Sequence, residues 1–154
     1  MFNWLRAFVG APSPAGPPQL VKRFDPTELS LSKVMRAAGD GWAIELDDAA
    51  DLPMFAWQPP RLERCLLTLR AEMRTEDLGG KSYLEMWCQF TGKGEYFTRG
   101  LHHAVKGTND WASYETSFRL KAGQAPNLLR LNLVVGGPGR IWIREIELRQ
   151  TPLS

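Results

Sequence analysis

Tyr83, Glu85, Trp87 and Gln89 recur at every second residue, the spacing that puts side chains on one face of a β-strand. Leu84, Met86, Cys88 and Phe90 fall between them and read as the opposite, inward face. Arg130 and Asn132 alternate in the same way against Leu129, Leu131 and Leu133. Upstream, Thr68, Arg70, Glu72 and Arg74 alternate against Cys65, Leu67, Leu69, Ala71 and Met73. The outward set holds an indole, carboxylates, amides and guanidiniums. An indole face stacks on apolar C–H patches, and planar polar groups bond hydroxyls in pairs. Such a set recognises a hydroxyl-rich ring reversibly; it does not break bonds. Arg70, Glu85, Trp87, Gln89, Arg130 and Asn132 are therefore the candidate ligand-binding residues, with Arg70 at the rim. The same positions also fit a plain solvated face with cross-strand ion pairs. Trp87 fits that description least well, since Trp is a costly choice for a face that meets only water.

Other chemistries find less support. His102-His103 is the only histidine pair. Neighbours on a strand point to opposite faces, so the two are poorly placed to share a metal, and any nucleophile–histidine arrangement depends wholly on them. No Gly-rich loop stands between a strand and a helix to cradle phosphate. Asp47, Asp48 and Asp51 read as solvated turn residues, with a structural calcium site as the alternative. Cys65 and Cys88 are too few for a disulfide framework and sit in apolar strand patterns. A bridge between them requires that two strands bring them within bonding distance. The expectation is a chain that is not an enzyme and needs no cofactor.

The elements that would position these residues are strands. The 154 residues suit one domain, and 44% hydrophobic with 23% charged residues is an ordinary globular balance. The net charge of +2 is small and its charges are interleaved, which argues against a nucleic-acid partner. Residues 1–18 read as an N-terminal tail and Pro-rich linker: Phe2, Leu5, Phe8 and Val9 recur at helical spacing beside Trp4, and Pro12, Pro14, Pro17 and Pro18 follow. From residue 19 to about 150, short alternating runs are separated by Gly and Pro turns. Runs at 19–24, 41–46, 54–58, 64–74, 82–90, 95–105, 111–120, 128–135 and 141–148 predict strands, the one at 54–58 an edge between prolines. Residues 29–38 read as ambiguous, with room for a helical turn. The predicted fold class is all-β: a two-sheet antiparallel sandwich of jelly-roll topology with a short N-terminal helical tail.

The second half carries a resemblance. Arg99-Gly100-Leu101 leads to Gly107-Thr108-Asn109-Asp110-Trp111 and Tyr114, then to Leu131-Asn132-Leu133, Gly136-Gly137-Pro138-Gly139 and Ile141-Trp142-Ile143-Arg144-Glu145-Ile146-Glu147-Leu148. This resembles the galactose-binding-like jelly rolls of bacterial carbohydrate-binding modules, and their small appended relatives, over residues 64 to 148. Arg144-Glu145 stands where those modules usually carry two aspartates, which weakens any transfer of the roles of those acids, a calcium role included. The motifs are structural: Asn109 and Asp110 can bond local backbone, Trp111 and Tyr114 would anchor the loop, and Gly136–Gly139 would form a hairpin.

The resemblance implies a non-catalytic binding module with a carbohydrate or other small polar ligand on the concave sheet face. The alternative is an intracellular protein-interaction or regulatory domain with no sugar ligand. That alternative rests on the N-terminus, whose prolines interrupt what would otherwise be a signal-like apolar run, so a cytoplasmic location is expected. No stretch approaches the ~18 apolar residues of a membrane span. The expected partners are a glycan, a small polar ligand or a protein.

Overall fold

A computed structural model describes residues 14–154. The helical tail lies outside the described residues. Nine strands follow in order: β1 Gln19–Phe24, β2 Arg36–Ala38, β3 Gly41–Leu46, β4 Ala50–Trp57, β5 Cys65–Phe90, β6 Gly94–Arg99, β7 Val105–Leu120, β8 Leu128–Val135 and β9 Gly139–Pro152. Among the described residues the one helical element is the 3-10 turn Leu101–His103. Residues 29–38 hold turns and the short β2 rather than a helix.

All pairings are antiparallel and build two sheets. The first runs β2-β3-β9-β5-β7, with β1 beside β3 on the same edge of β9. The second runs β4-β8-β5-β6, with β4 at its edge as expected; the strand begins at Ala50 rather than after Pro53, which lies inside it at a register shift. β5 belongs to both. Cys65–Glu76 pairs with β9 and β7, and Tyr83–Gln89 pairs with β8. Gly79-Gly80 therefore bends one long strand over the edge of the sandwich instead of ending it. The rings of Phe90 and Phe118 meet at 6.1 Å across the interior.

The inward phase of β5 changes at this bend. Cys65, Leu67, Leu69, Ala71 and Met73 are buried before it, and Leu84, Met86, Cys88 and Phe90 after it. Between them Asp77 takes a φ of 52°, and Thr75, Leu78 and Ser82 are buried. The inward set read from alternation forms one core with Phe118, Leu131, Leu133, Ile146 and Leu148. Cys65 and Cys88 are free thiols in that core, where burial pushes their pKa up to about 11 and about 12. Thiols held so far from ionisation act as packing groups.

Gly136–Gly139 does not form a hairpin. β8 lies in the second sheet and β9 in the first, so the segment carries the chain between sheets. Here backbones approach closely: a Cβ on Gly136 would stand 2.2 Å from the Lys81 carbonyl oxygen, and one on Gly80 would stand 2.3 Å from that of Gly136. The obstacle is backbone, which cannot move aside cheaply. We predict that Gly136→Ala destabilises the fold by about 1–3 kcal/mol. A thermal melt unchanged from wild type would show that the two segments are not in contact.

Candidate functional site

The outer face of the second sheet assembles most of the residues singled out from the sequence. Register alone places them: Glu85 stands between Asn132 on β8 and Arg99 on β6, and Trp87 stands between Arg130 and Phe97. Gln89 lies one pleat further along, opposite Glu95.

Glu85 organises the centre of this face. Its residue is 6% exposed. Its carboxylate accepts hydrogen bonds from Trp87 Nε1 at 2.9 Å, Arg99 Nε at 2.7 Å and Asn132 Nδ2 at 3.0 Å. Burial pushes the Glu85 pKa up, but the bonds from Asn132, Arg99 and Trp87 outweigh it and hold the group below the ordinary glutamate value. Glu85 is thus a fixed anion that locks the indole and the amide in place. Three of its roughly four lone-pair sites are committed, so it positions other groups more than it meets a ligand.

The groups left to face outward are aromatic rings and spare donors. Trp87 and Phe97 meet at 4.9 Å with a 46° tilt, and Phe97 is 46% exposed. The Arg99 guanidinium caps Phe97 at 4.2 Å, and that of Arg130 lies 5.6 Å from the Trp87 ring. Arg130 donates two hydrogen bonds to Glu95, at 3.0 and 2.6 Å. An arginine has five N–H donors, so Arg99 and Arg130 keep several for another molecule. The Gln89 side chain has no partner among the described residues. Glu95, Phe97 and Arg99 are not among the candidate ligand-binding residues read from the sequence. Their own alternation along β6 carried the signal, but nothing local shows which sheet that strand joins.

Arg70 does not belong to this face. It lies on the outer side of the first sheet, opposite Glu147 and Glu115, and donates to Ser113 Oγ at 2.6 Å. The phase change between Thr75 and Ser82, together with the bend, sends the two outward sets of β5 to opposite sides of the sandwich. The histidines also differ from expectation. They lie in the 3-10 turn with rings 4.4 Å apart rather than on opposite faces of a strand, and His103 Nδ1 accepts a hydrogen bond from the Glu115 N–H. Among the described residues no group of three His, Cys, Asp or Glu side chains could hold a metal; Asp47, Asp48 and Asp51 form no such group.

The loop residues divide. Asn109 donates to the Lys106 carbonyl at 2.7 Å, and Asp110 accepts from the Trp111 N–H, as their types suggested. Tyr114 packs against the core. Trp111 instead lies beneath the Arg144 guanidinium at 3.9 Å, and Arg144 donates to Glu72 at 2.9 Å. The Arg144-Glu145 pair thus serves the sheet: Glu145, at φ 54°, bulges β9 beside this ion pair.

Comparison with known proteins gives the class. The chain superposes on a CBM4 carbohydrate-binding module with a TM-score of 0.53 at 9% identity, covering 79% of this chain and 78% of that one. A family 30 carbohydrate-binding module matches with a TM-score of 0.50 at 12% identity over 86% and 98% of the two chains. At such identities the likeness is one of fold. The chain therefore has a jelly-roll β-sandwich fold, which it shares with these modules. No protein-family profile matches it. In sequence, 63 residues are 41% identical to a phthiotriol/phenolphthiotriol dimycocerosates methyltransferase of Mycobacterium tuberculosis. The match takes in 41% of this chain, which spans 23% of that enzyme's length.

Proposed function

We propose that this chain is a non-catalytic binding module that takes a carbohydrate or another small polar ligand on the outer face of the β4-β8-β5-β6 sheet. The observation that carries this reading is the half-buried Trp87 ring meeting the exposed Phe97 ring, on a face where Glu85 already holds Trp87, Arg99 and Asn132. A sugar ring stacks on the aromatic pair, while Gln89, Arg99 and Arg130 bond its hydroxyls. The face is shallow, so much of the ligand stays hydrated and affinity is weak, in the millimolar range of about −4 kcal/mol.

A glycan array followed by calorimetry on the full chain and on Trp87→Ala is the test. The variant should bind at least about tenfold more weakly than wild type while folding normally. If it folds and binds every wild-type ligand equally well, the ligand is held elsewhere. A second reading, a domain that binds a protein and no sugar, is favoured by the exposure of Phe97 and Leu101 at the end of β6. An empty array, together with capture of a defined partner that Phe97→Ala abolishes, would favour it.

A further inference from the structure

The outer face of the first sheet holds a second concavity, of about 320 Å³, lined by Val34, Arg36, Ala43, Glu45, Arg140 and Trp142 among others. Its shape follows from register. Arg36 on β2 pairs with Ala43 on β3, and Ala43 pairs with Trp142 on β9, so the three side chains stand abreast on one face. The outer two strands are separated by twice the inter-strand spacing, about 9.6 Å. Ala43 between them adds only a methyl group. The result is a slot with an indole on one wall, a guanidinium on the other and a flat apolar floor. A ring in van der Waals contact with both walls needs about 7 Å, which such a slot provides.

The walls are occupied unequally. The Arg74 guanidinium, reaching from β5, lies 4.1 Å from the Trp142 ring centre and covers the side away from the slot. Arg74 Nε is buried and without a hydrogen-bond partner. Arg36 makes no ion pair or hydrogen bond among the described residues. Arg140 is divided between Glu45 at 3.5 Å and Glu76 at 3.6 Å, both longer than the 2.7–2.9 Å of a charge-assisted bond. Two guanidiniums, Arg36 and Arg140, and one carboxylate, Glu45, line the slot itself, so one positive charge is left over.

We propose that this slot binds a ring that carries a carboxylate, the ring held between Trp142 and Arg36 and the carboxylate bonded by Arg36 or Arg140. Trp142 supplies a stacking surface, and a guanidinium both stacks on a ring and bonds a carboxylate through two parallel N–H groups. A neutral ring leaves the surplus charge unmatched, and a small acid without a ring leaves the indole wall empty. The ring can be a saccharide, as in a uronic acid, or an aromatic. The site is separate from the Trp87 face and does not depend on it.

Amide and indole N–H spectra of the full-length chain, titrated with D-galacturonate, benzoate, D-galactose and acetate, test the proposal. At least one ring acid should move the Trp142 indole signal in a saturable way and bind about tenfold more tightly than galactose and acetate. Galacturonate alone points to a saccharide source, benzoate alone to an aromatic one, and either result supports the slot. Arg36→Ala removes an exposed side chain that makes no ion pair or hydrogen bond among the described residues, so the fold is kept, and it should weaken the ring acid about tenfold. Trp87→Ala should leave this titration unchanged. The proposal is overturned if neither ring acid moves Trp142, if galactose or acetate binds as tightly, or if Arg36→Ala binds like wild type.

Discussion

Leu131→Ala is expected to lower the unfolding free energy by about 2–5 kcal/mol. Leu131 has no exposed surface and lies on β8 between β4 and β5, where its register partners are Phe55 and Met86. These strands cannot close on a gap, because each is held on both sides by backbone pairing or by the facing sheet. The cost is therefore the lost transfer of the side chain plus a cavity that persists. Leu69→Ala on the facing sheet should cost a similar amount, since it too is fully buried in a long paired strand. Leu29, 92% exposed, is the control, and Leu29→Ala should change stability by less than about 0.5 kcal/mol. Chemical denaturation of the three variants checks the set. Wild-type midpoints for Leu131→Ala and Leu69→Ala would mean that these side chains do not face the core.

Glu85→Ala is expected to cost about 2–4 kcal/mol. Breaking a buried ion pair costs about 3–5 kcal/mol, and the value is discounted here because the Arg99 side chain is 40% exposed and regains water. The Trp87 N–H and the Asn132 amide lose their acceptor as well, so the variant should also loosen the proposed binding face. Acid offers a second reading of the same bonds. The folded-state pKa of Glu85 lies below its unfolded value, so its stabilising contribution is complete above the unfolded value of about 4.3. It is lost as pH falls through the lower folded value. Glu147 behaves alike: burial raises its pKa, but bonds from Arg23 and Arg149 bring it below the ordinary value, and it ties β1 to β9. Thermal stability should therefore fall below about pH 4.3, and Glu85→Gln should show a shallower acid limb than wild type. Equal slopes for the two proteins would show that Glu85 does not ionise against these partners in the fold.

Period-two alternation made much of this fold legible in the amino-acid sequence. Which side of a strand is apolar is a local property, and the inward residues of β5, β7, β8 and β9 could be named from it. For the same reason Glu85, Trp87, Gln89, Arg130 and Asn132 could be gathered as outward residues, and the second sheet does bring them to one face. What local pattern cannot carry is which strand lies beside which. β6 joins the Trp87 face through register with β5, which is how Phe97, Arg99 and Glu95 come to complete it. Arg70 left that face because β5 changes phase and sheet between Thr75 and Ser82, where bulges and the left-handed Asp77 leave no periodic trace. Gly136–Gly139 looked like a hairpin because turn chemistry is the same whether the next strand returns to its own sheet or crosses to the other. The slot at Trp142 exists only where three strands set Arg36, Ala43 and Trp142 abreast, residues up to 106 positions apart in the chain. The sequence by itself determined the strands and their buried faces, because hydrophobic patterning acts between near neighbours. The tertiary structure alone decided which outward residues share a face, because hydrogen-bond register joins segments that no local rule relates.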